Sequence, residues 1–436
     1  MSAGEYDCRC DVAIVGAGAA GLAAAEALSQ AGKTCIILEA RDRVGGRAYS
    51  QAGPSGGIAE LGAEFVHGKS TELRALLARY GVKVIDVTGA RIGRRNGKPT
   101  DDDAAFGRAQ ELIEGVDLER PDESVETFLR RSDVDARTAE TVRRLVGGFD
   151  AADPVVAGVH AIAREWRGEE SLQVVSSRPA EGYEPFFTRF ARSLDPHRAR
   201  ILLQTVVERI DWSDRGPGSI VSARRYGRPL VVRAETTIVT VPAGVLEQRA
   251  PTDGALTFSP SLPVWFEEAR QAIAVGHVVR VVLRYARPCW ESTPESESGA
   301  SFFSSDATSF PAMWTVAPSR DPLLTMWAGG PATDRFAGLT REEIIARAVA
   351  DALRTFGDAA GEPLVAHYHD WAGDPYARGA YSYLKVGAAN ARERLAQPIA
   401  PSLCFAGEAA ATIEAAGTVG GALSSGVRAA RIALTV

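Results

Sequence analysis

Three glycines, Gly16, Gly18 and Gly21, stand in the run VGAGAAG (residues 15–21), after the apolar stretch Asp11–Val15 and ahead of an alanine-rich stretch. Glycine at the first position permits a tight turn. At the second it lets a pyrophosphate approach the backbone, and at the third it lets a helix lie close on a strand. The N-terminus of that helix then faces the phosphates with unpaired N–H groups. Glu39 lies 18 residues after Gly21, placed to accept hydrogen bonds from ribose hydroxyls, and a carboxylate there argues against a 2′-phosphate. The glycines alone do not separate NAD from FAD. The following run, EARDRVGGRAYS, puts Arg41, Gly45, Gly46 and Arg47 directly after that carboxylate. A second glycine pair with an arginine suits a further backbone approach to the pyrophosphate of a longer cofactor.

Holding these residues in place requires a βαβ unit. Asp11–Val15 and Thr34–Leu38 read as buried parallel strands, with Gly21–Gln30 as the helix between them. From about Ser70 to Arg200 the chain is charged and mostly helical in pattern, as in STELRALLARYG and SVETFLRRSDVDARTAETVRRLVGGF. Strand signal returns in ILLQTVVERIDW, SIVSARRYGRPLVVRAETTIVTVP and GHVVRVVLRYARPCW. REEIIARAVADALRTFG is an amphipathic helix, SLCFAGEA a late buried strand, and TVGGALSSGVRAARIAL the last helix. The fold class is α/β, with no internal repeat.

At 436 residues the chain is long enough for two domains with real cores, and 45% apolar and 24% charged residues are ordinary for a globular protein. A net charge of −6 gives no reason to expect nucleic acid or an anionic membrane as partner. Five scattered cysteines (Cys8, Cys10, Cys35, Cys289, Cys404) speak against a disulfide framework, and Cys8-x-Cys10 has no second pair to complete a metal site. No basic-then-apolar leader and no run of about 20 apolar residues is evident. These features read as a soluble, cytoplasmic protein, with a homodimer as the default assembly.

The R-x-G-G-R run resembles that of the flavin-containing amine oxidases. The resemblance continues through ELGAEFVHG (60–68), GYEPFFTRFARSL (182–194), TVVERI (205–210), TIVTVPAGVLE (237–247), WAGDPYARGAYSY (371–383) and FAGEAAATIEAAGTVGGALSSGVRAARIA (405–433). It implies a two-domain flavoprotein with a Rossmann-like, glutathione-reductase-type FAD domain over 1–75, 201–261 and 396–436. An α+β substrate domain with a mixed sheet would cover 76–200 and 262–395. Cofactor contacts carry over to Gly16, Gly18, Ala20, Gly21, Glu39, Ala40, Arg41, Gly46, Arg47, Gly62, Ala63, Glu64, Val207, Trp371, Gly407, Glu408, Thr418 and Val419. Of these, Gly407 and Glu408 would touch the ribityl–pyrophosphate part and Val207 the adenine end. Thr418 and Val419 would start a helix whose positive end stabilises charge on the flavin.

At the reacting end the resemblance is incomplete. Ala380 stands where monoamine oxidases carry the cysteine that bonds to FAD, so FAD is expected to be non-covalent. Tyr381 matches one of two facing cage tyrosines, with a core role as the alternative, and the second cage position aligns with Thr418. Arg280 occupies the place of a lysine bridged by water to the flavin N5. It cannot act as a base, but it either keeps a cation near N5 or merely pairs with a carboxylate. Glu64 and His67 fall at a turn above the flavin, where they could recognise a cationic amine or tune its protonation. Alternatively Glu64 pairs with a backbone amide or an arginine, and His67 is a spacer. Trp371 packs either near the flavin ring or in the core. His367 and His369 lack a third ligand and read as structural.

The resemblance implies oxidation of an amine to an imine that water hydrolyses, with electrons passing through FAD to oxygen to give hydrogen peroxide. Related alternatives are a desaturase or dehydrogenase and an L-amino-acid oxidase, whose usual carboxylate-binding arginine is missing from AEFVHG. A flavin-binding protein without turnover is the alternative of another class.

Overall fold

The computed structural model describes residues 6–53, 57–95, 98–168, 176–292 and 299–435. Its first strand, Tyr6–Val15, begins earlier than the apolar run suggests. The polar half, Tyr6–Cys10, is held by parallel pairing with Leu230–Ala234, a long-range partner with no local signature. On its other side the strand pairs in parallel with Cys35–Leu38, whose four residues are all buried, as in a sheet covered on both faces. Eight strands form this sheet. The path runs Thr257–Ser259, Thr205–Trp212, Ser219–Arg225, Arg228–Val239, Tyr6–Val15, Cys35–Leu38, Ala199–Leu202, with Leu403–Phe405 added beside Arg228–Val239.

Two helices cover one face of this sheet. The first, Ala19–Gln30, buries Leu22, Ala24, Ala25 and Leu28, and the last, Val419–Leu434, lies against it. Their approach is close enough that a side-chain carbon on Gly426 would stand 2.1 Å from the Ala20 carbonyl oxygen. The quoted segment 182–194 supplies the helix Tyr183–Ser193, whose Tyr183, Phe186, Phe187 and Phe190 are fully enclosed in the same core.

The second sheet has seven strands in the order Val365–Tyr368, Val278–Arg284, Leu323–Gly329, Ala312–Thr315, Phe302–Ser305, Arg91–Arg95, Lys98–Asp101. The amphipathic helix Arg341–Phe356 packs on it, opened by a capping box between Thr340 and Glu343.

The expected mostly helical stretch does contain helices at Thr71–Arg79, Asp102–Glu114, Val125–Arg131, Ala136–Gly148 and Val159–Trp166. It also holds strands that the reading missed, Arg91–Arg95 and Lys98–Asp101 in the second sheet, and the run ILLQTVVERIDW proves to be two strands, of which the first, Ala199–Leu202, starts two residues earlier at the edge of the first sheet. The Arg91–Arg95 strand, RIGRR, is arginine-rich and has no apolar alternation. Its strand character comes from parallel pairing with Phe302–Ser305 on one side and antiparallel pairing with Lys98–Asp101 on the other. The reading of the chain start falls partly on residues 1–5, outside the described residues. Among the described residues no helix is long and apolar enough to cross a membrane.

Candidate active site

One continuous cavity of about 1930 Å³ runs from the carboxyl ends of the parallel strands to one face of the second sheet. That exceeds the several hundred cubic ångströms of an ordinary small-molecule pocket and leaves room for a dinucleotide and a second molecule. At one end, Gly16 has φ +103°, and a side-chain carbon on Gly21 would lie 1.9 Å from the Gly16 carbonyl oxygen. Strand and helix therefore meet only through glycine. A carbon on Gly18 would meet nothing within 4 Å, so this position opens into the cavity. Gly46, at φ +57°, brings the second glycine loop against Gly18. The backbone here leaves room for a pyrophosphate to approach it.

Glu39 is buried, and its two oxygens accept the Ala17 N–H at 2.7 Å and the Arg41 N–H at 2.9 Å. A carboxylate retains lone pairs beyond these two for ribose hydroxyls. Arg41 forms a double contact with Asp374, at 2.8 and 2.7 Å, and Asp374 also takes His369 Nε2 at 2.8 Å. Burial would raise the Asp374 carboxyl, but those partners hold it well below the usual carboxylate range. Arg47 donates to the Ala380 carbonyl and to Glu408 Oε1, the latter at 3.1 Å. Burial opposes the charge on Glu408, yet Arg47 and Arg392 keep its carboxyl below the ordinary value. Gly62 allows the chain to touch the Arg47 carbonyl, since a carbon there would stand 1.8 Å away. Trp371 donates its indole N–H to the Leu61 carbonyl at 2.7 Å.

At the other end the walls are aromatic. Phe65, His67, Phe149, Trp314, Trp327 and Tyr381 line the cavity, with Arg280 set among them. Arg280 and Trp327 are opposite partners on neighbouring antiparallel strands, as are Ala312 and Trp327, so Arg280, Trp327 and Trp314 share one sheet face. Arg280 donates to Glu64 and, at 2.8 Å, to the Gly62 carbonyl. Glu64 also accepts the Trp314 indole N–H at 3.0 Å and faces Arg178 at 3.3 Å. Two arginines share this carboxylate, and buried Glu60 stands near both of them. Burial pushes the His67 imidazole down to about 4, with Glu64 opposing only in part, so the ring is neutral near pH 7. The Tyr381 hydroxyl donates to the Phe149 carbonyl, and burial among carboxylates keeps it protonated. Thr418 caps the last helix, its Oγ1 accepting the Gly421 N–H at 2.9 Å, and the first turn of that helix opens into the cavity.

The model of the family described as flavin containing amine oxidoreductase matches residues 19–434. This chain belongs to that family. Polyamine oxidase 2 of Arabidopsis thaliana is 27% identical, over 96% of this chain and 87% of its own length. Putrescine oxidase of Kocuria rosea is 26% identical over 85% of this chain and 84% of its own. A solved structure of wild-type putrescine oxidase bound to putrescine superposes with a TM-score of 0.82, covering 99% of this chain and 100% of that one at 24% identity. The fold is therefore the two-domain architecture expected of a flavin amine oxidase.

In this amine oxidoreductase every residue carried over from the sequence lines the cavity except Gly21, which makes the strand–helix contact beneath it. The expectation that Glu64 and His67 jointly face a cationic amine is revised. Glu64 is taken by Arg280, Arg178 and Trp314, matching the alternative of an arginine pair, and His67 Nδ1 lies 3.1 Å from the Ser176 hydroxyl. Arg280 both pairs with a carboxylate and lines the chamber. His367 and His369 bind Gln51 and Asp374 respectively. Sequence reading missed Arg178, Trp314, Trp327, Phe149, Asp150 and Glu165. Alternation on the strands Ala312–Thr315 and Leu323–Gly329 marks the two tryptophans as facing one side, but only sheet register sets them around Arg280.

Proposed function

We propose that this chain is an FAD-dependent oxidase that converts a small amine to an imine, hydrolysed to a carbonyl compound, and delivers the electrons to oxygen as hydrogen peroxide. The observation that carries the reading is the continuity of the cavity, from the glycine cradle to an aromatic chamber whose neutral groups suit an amine nitrogen. The eight-stranded layer is taken as the cofactor half and the seven-stranded layer as the substrate half. A bound FAD supplies the hydride acceptor and the route to oxygen. Gly16, Gly18, Glu39, Arg47, Glu408 and the N-terminus of the Val419–Leu434 helix would hold it, and Ala380 offers no thiol for a covalent bond.

The residues around the acceptor position and shield rather than attack. Tyr381 presents a ring face held by its hydrogen bond to Phe149, Trp314 and Trp327 exclude water, and neutral His67 can accept a hydrogen bond without competing as a cation. Arg280 is a fixed positive charge on the wall that faces the cofactor. The five free cysteines suit a reducing, cytoplasmic setting.

Purified yellow protein mixed anaerobically with a panel of amines should bleach, and peroxide should appear on admitting air. Bleaching by no amine in the panel would sink the proposal. Acid should release the yellow chromophore as FAD, and retention on the precipitated protein would overturn non-covalent binding.

A further inference from the structure

Two buried arginines grip the turn that carries Gly407 and Glu408, one from each side. Arg428, on the Val419–Leu434 helix, donates to the Ala410 carbonyl at 2.6 Å and to the Phe405 carbonyl at 3.1 Å. Arg392, on the short helix Ala391–Ala396, donates through Nη1 to the Ala409 and Glu408 carbonyls at 3.2 and 3.4 Å. The two are not equivalent, because Arg392 also holds Ser382. Its Nη1 reaches the Ser382 hydroxyl at 2.8 Å and its Nη2 the Ser382 carbonyl at 2.7 Å. Ser382 passes the contact on, its hydroxyl donating to Glu408 Oε2 at 2.7 Å and its N–H to the same oxygen at 3.3 Å. The other carboxylate oxygen, Oε1, takes Arg47 at 3.1 Å. One chain of bonds, Arg392–Ser382–Glu408–Arg47, therefore joins the FAGE turn to the second glycine loop.

Arg392 is 3% exposed and lies outside the cavity wall, so it meets no ligand itself. Burial opposes its charge and holds the guanidinium below its ordinary value, with Glu408 and Glu165 offsetting part of that cost. Packing alone would be served as well by an apolar side chain. The charged and titratable groups around Glu408 are Arg47, Arg392, Glu165 and the Tyr381 phenol. Arg428 grips the same turn without acting on that carboxylate. What sets Arg392 apart is its line to Glu408.

We propose that Arg392 is a positioning residue for the cofactor, acting through Ser382 and Glu408 to keep the FAGE turn tied to Arg47 around the ribityl–pyrophosphate part. The assignment rests on the proposed binding of FAD and adds to it the residue behind the cradle that keeps it assembled. Burial drives the Glu408 carboxyl up, while Arg47, Arg392 and Ser382 together hold it below the ordinary carboxylate range. Without Arg392 the cost of burial is offset less, and the carboxyl rises toward neutral pH. A protonated Glu408 loses its hold on Arg47, so the cofactor leaves faster as pH falls. Burial pushes the Glu165 carboxyl up to about 7, in the same window, and the two acids are told apart by substitution.

The test dilutes the flavin-loaded protein and follows release of FAD by its fluorescence at about pH 6 and about pH 8. The unaltered protein should release FAD at rates that agree within about two-fold. Arg392→Met should release it about ten-fold faster at the lower pH than at the higher. Arg392→Lys, which restores the charge, should remove most of that dependence, and Arg428→Met should speed release equally at both values. Adding Glu408→Gln to Arg392→Met should abolish the dependence, because the titrating group is gone. A folded Arg392→Met protein whose release ignores pH overturns the assignment. So does a dependence that survives Glu408→Gln, which would belong to Glu165. Should Arg392→Met not fold or not retain flavin, Ser382→Ala decides, because it breaks the chain of bonds at its middle. Release about three-fold faster at the lower pH is then expected, and none of that dependence overturns the assignment. A released chromophore that is not FAD sinks the cofactor reading instead. FAD that no amine bleaches sinks the oxidase reading and leaves the role of Arg392 standing.

Discussion

In the glycine cradle the groups that meet a ligand are backbone atoms, and what matters about the side chains is that they are missing. In the aromatic chamber the reverse holds, and buried charges set the character of each wall. Glu39 in the cradle is satisfied by amides two residues on and 22 residues back. Glu64 in the chamber draws its partners from residues 178, 280 and 314. The cradle is a local device whose tolerance is steric, and the chamber a long-range device whose tolerance is electrostatic. The two should fail in different ways.

The largest effect is expected from Gly21→Val, which drives carbon atoms into the Gly16 carbonyl. It should cost about 3 kcal/mol or more in stability and yield protein purified without bound flavin, read from flavin absorbance per chain. A variant that retains full flavin would break the steric account of the cradle.

Glu64→Gln leaves Arg280 and Arg178 buried without their counter-ion, and should cost about 3–5 kcal/mol by urea unfolding. Because the defect is a stranded charge, adding Arg280→Met to Glu64→Gln should recover part of that loss. If the two changes add without recovery, the chamber is not organised by this pair.

Arg280→Met alone tests the fixed cation. Reoxidation of the bleached protein by oxygen should slow about ten-fold in stopped-flow measurements, with flavin content unchanged. An unaltered rate would reduce Arg280 to a partner for Glu64.

His67 carries a smaller, pH-dependent term. Its folded value of about 4 lies below an unfolded value of about 6.5, so the unfolded chain binds the extra proton in between. Its stabilising contribution is complete above about pH 6.5 and is lost as pH falls toward about 4. His67→Gln should flatten the stability profile over that window, and a profile that does not change would show that the ring is not desolvated. Smallest is Thr418→Ala, which removes the cap of the last helix and should cost about 1 kcal/mol, with substrate recognition unaffected.

The glycine spacing, the buried runs around it and the late FAGE segment were legible because each depends on residues close in sequence. A tight turn, a helix start and a parallel strand leave periodic or positional marks. The RIGRR strand was harder to read, since its own pattern is merely basic and, although Lys98–Asp101 pairs with it locally, the strand that joins it to the rest of the sheet lies more than 200 residues away. In the chamber the sequence offered Glu64, His67, Arg280, Tyr381 and Thr418 as candidates, and all of them do line the cavity. Which of them pair was invisible. Thr418 proved to be a helix cap, and Glu64 was drawn away from His67 by Arg280.

The sequence by itself determined the glycine cradle and the family, because close backbone approach demands glycine at set spacings. Only the tertiary structure decided the charge map of the chamber. A carboxylate's role follows from which donors reach it, and those donors arrive by sheet register and helix packing from distant parts of the chain. Glu64 met three, from residues 178, 280 and 314.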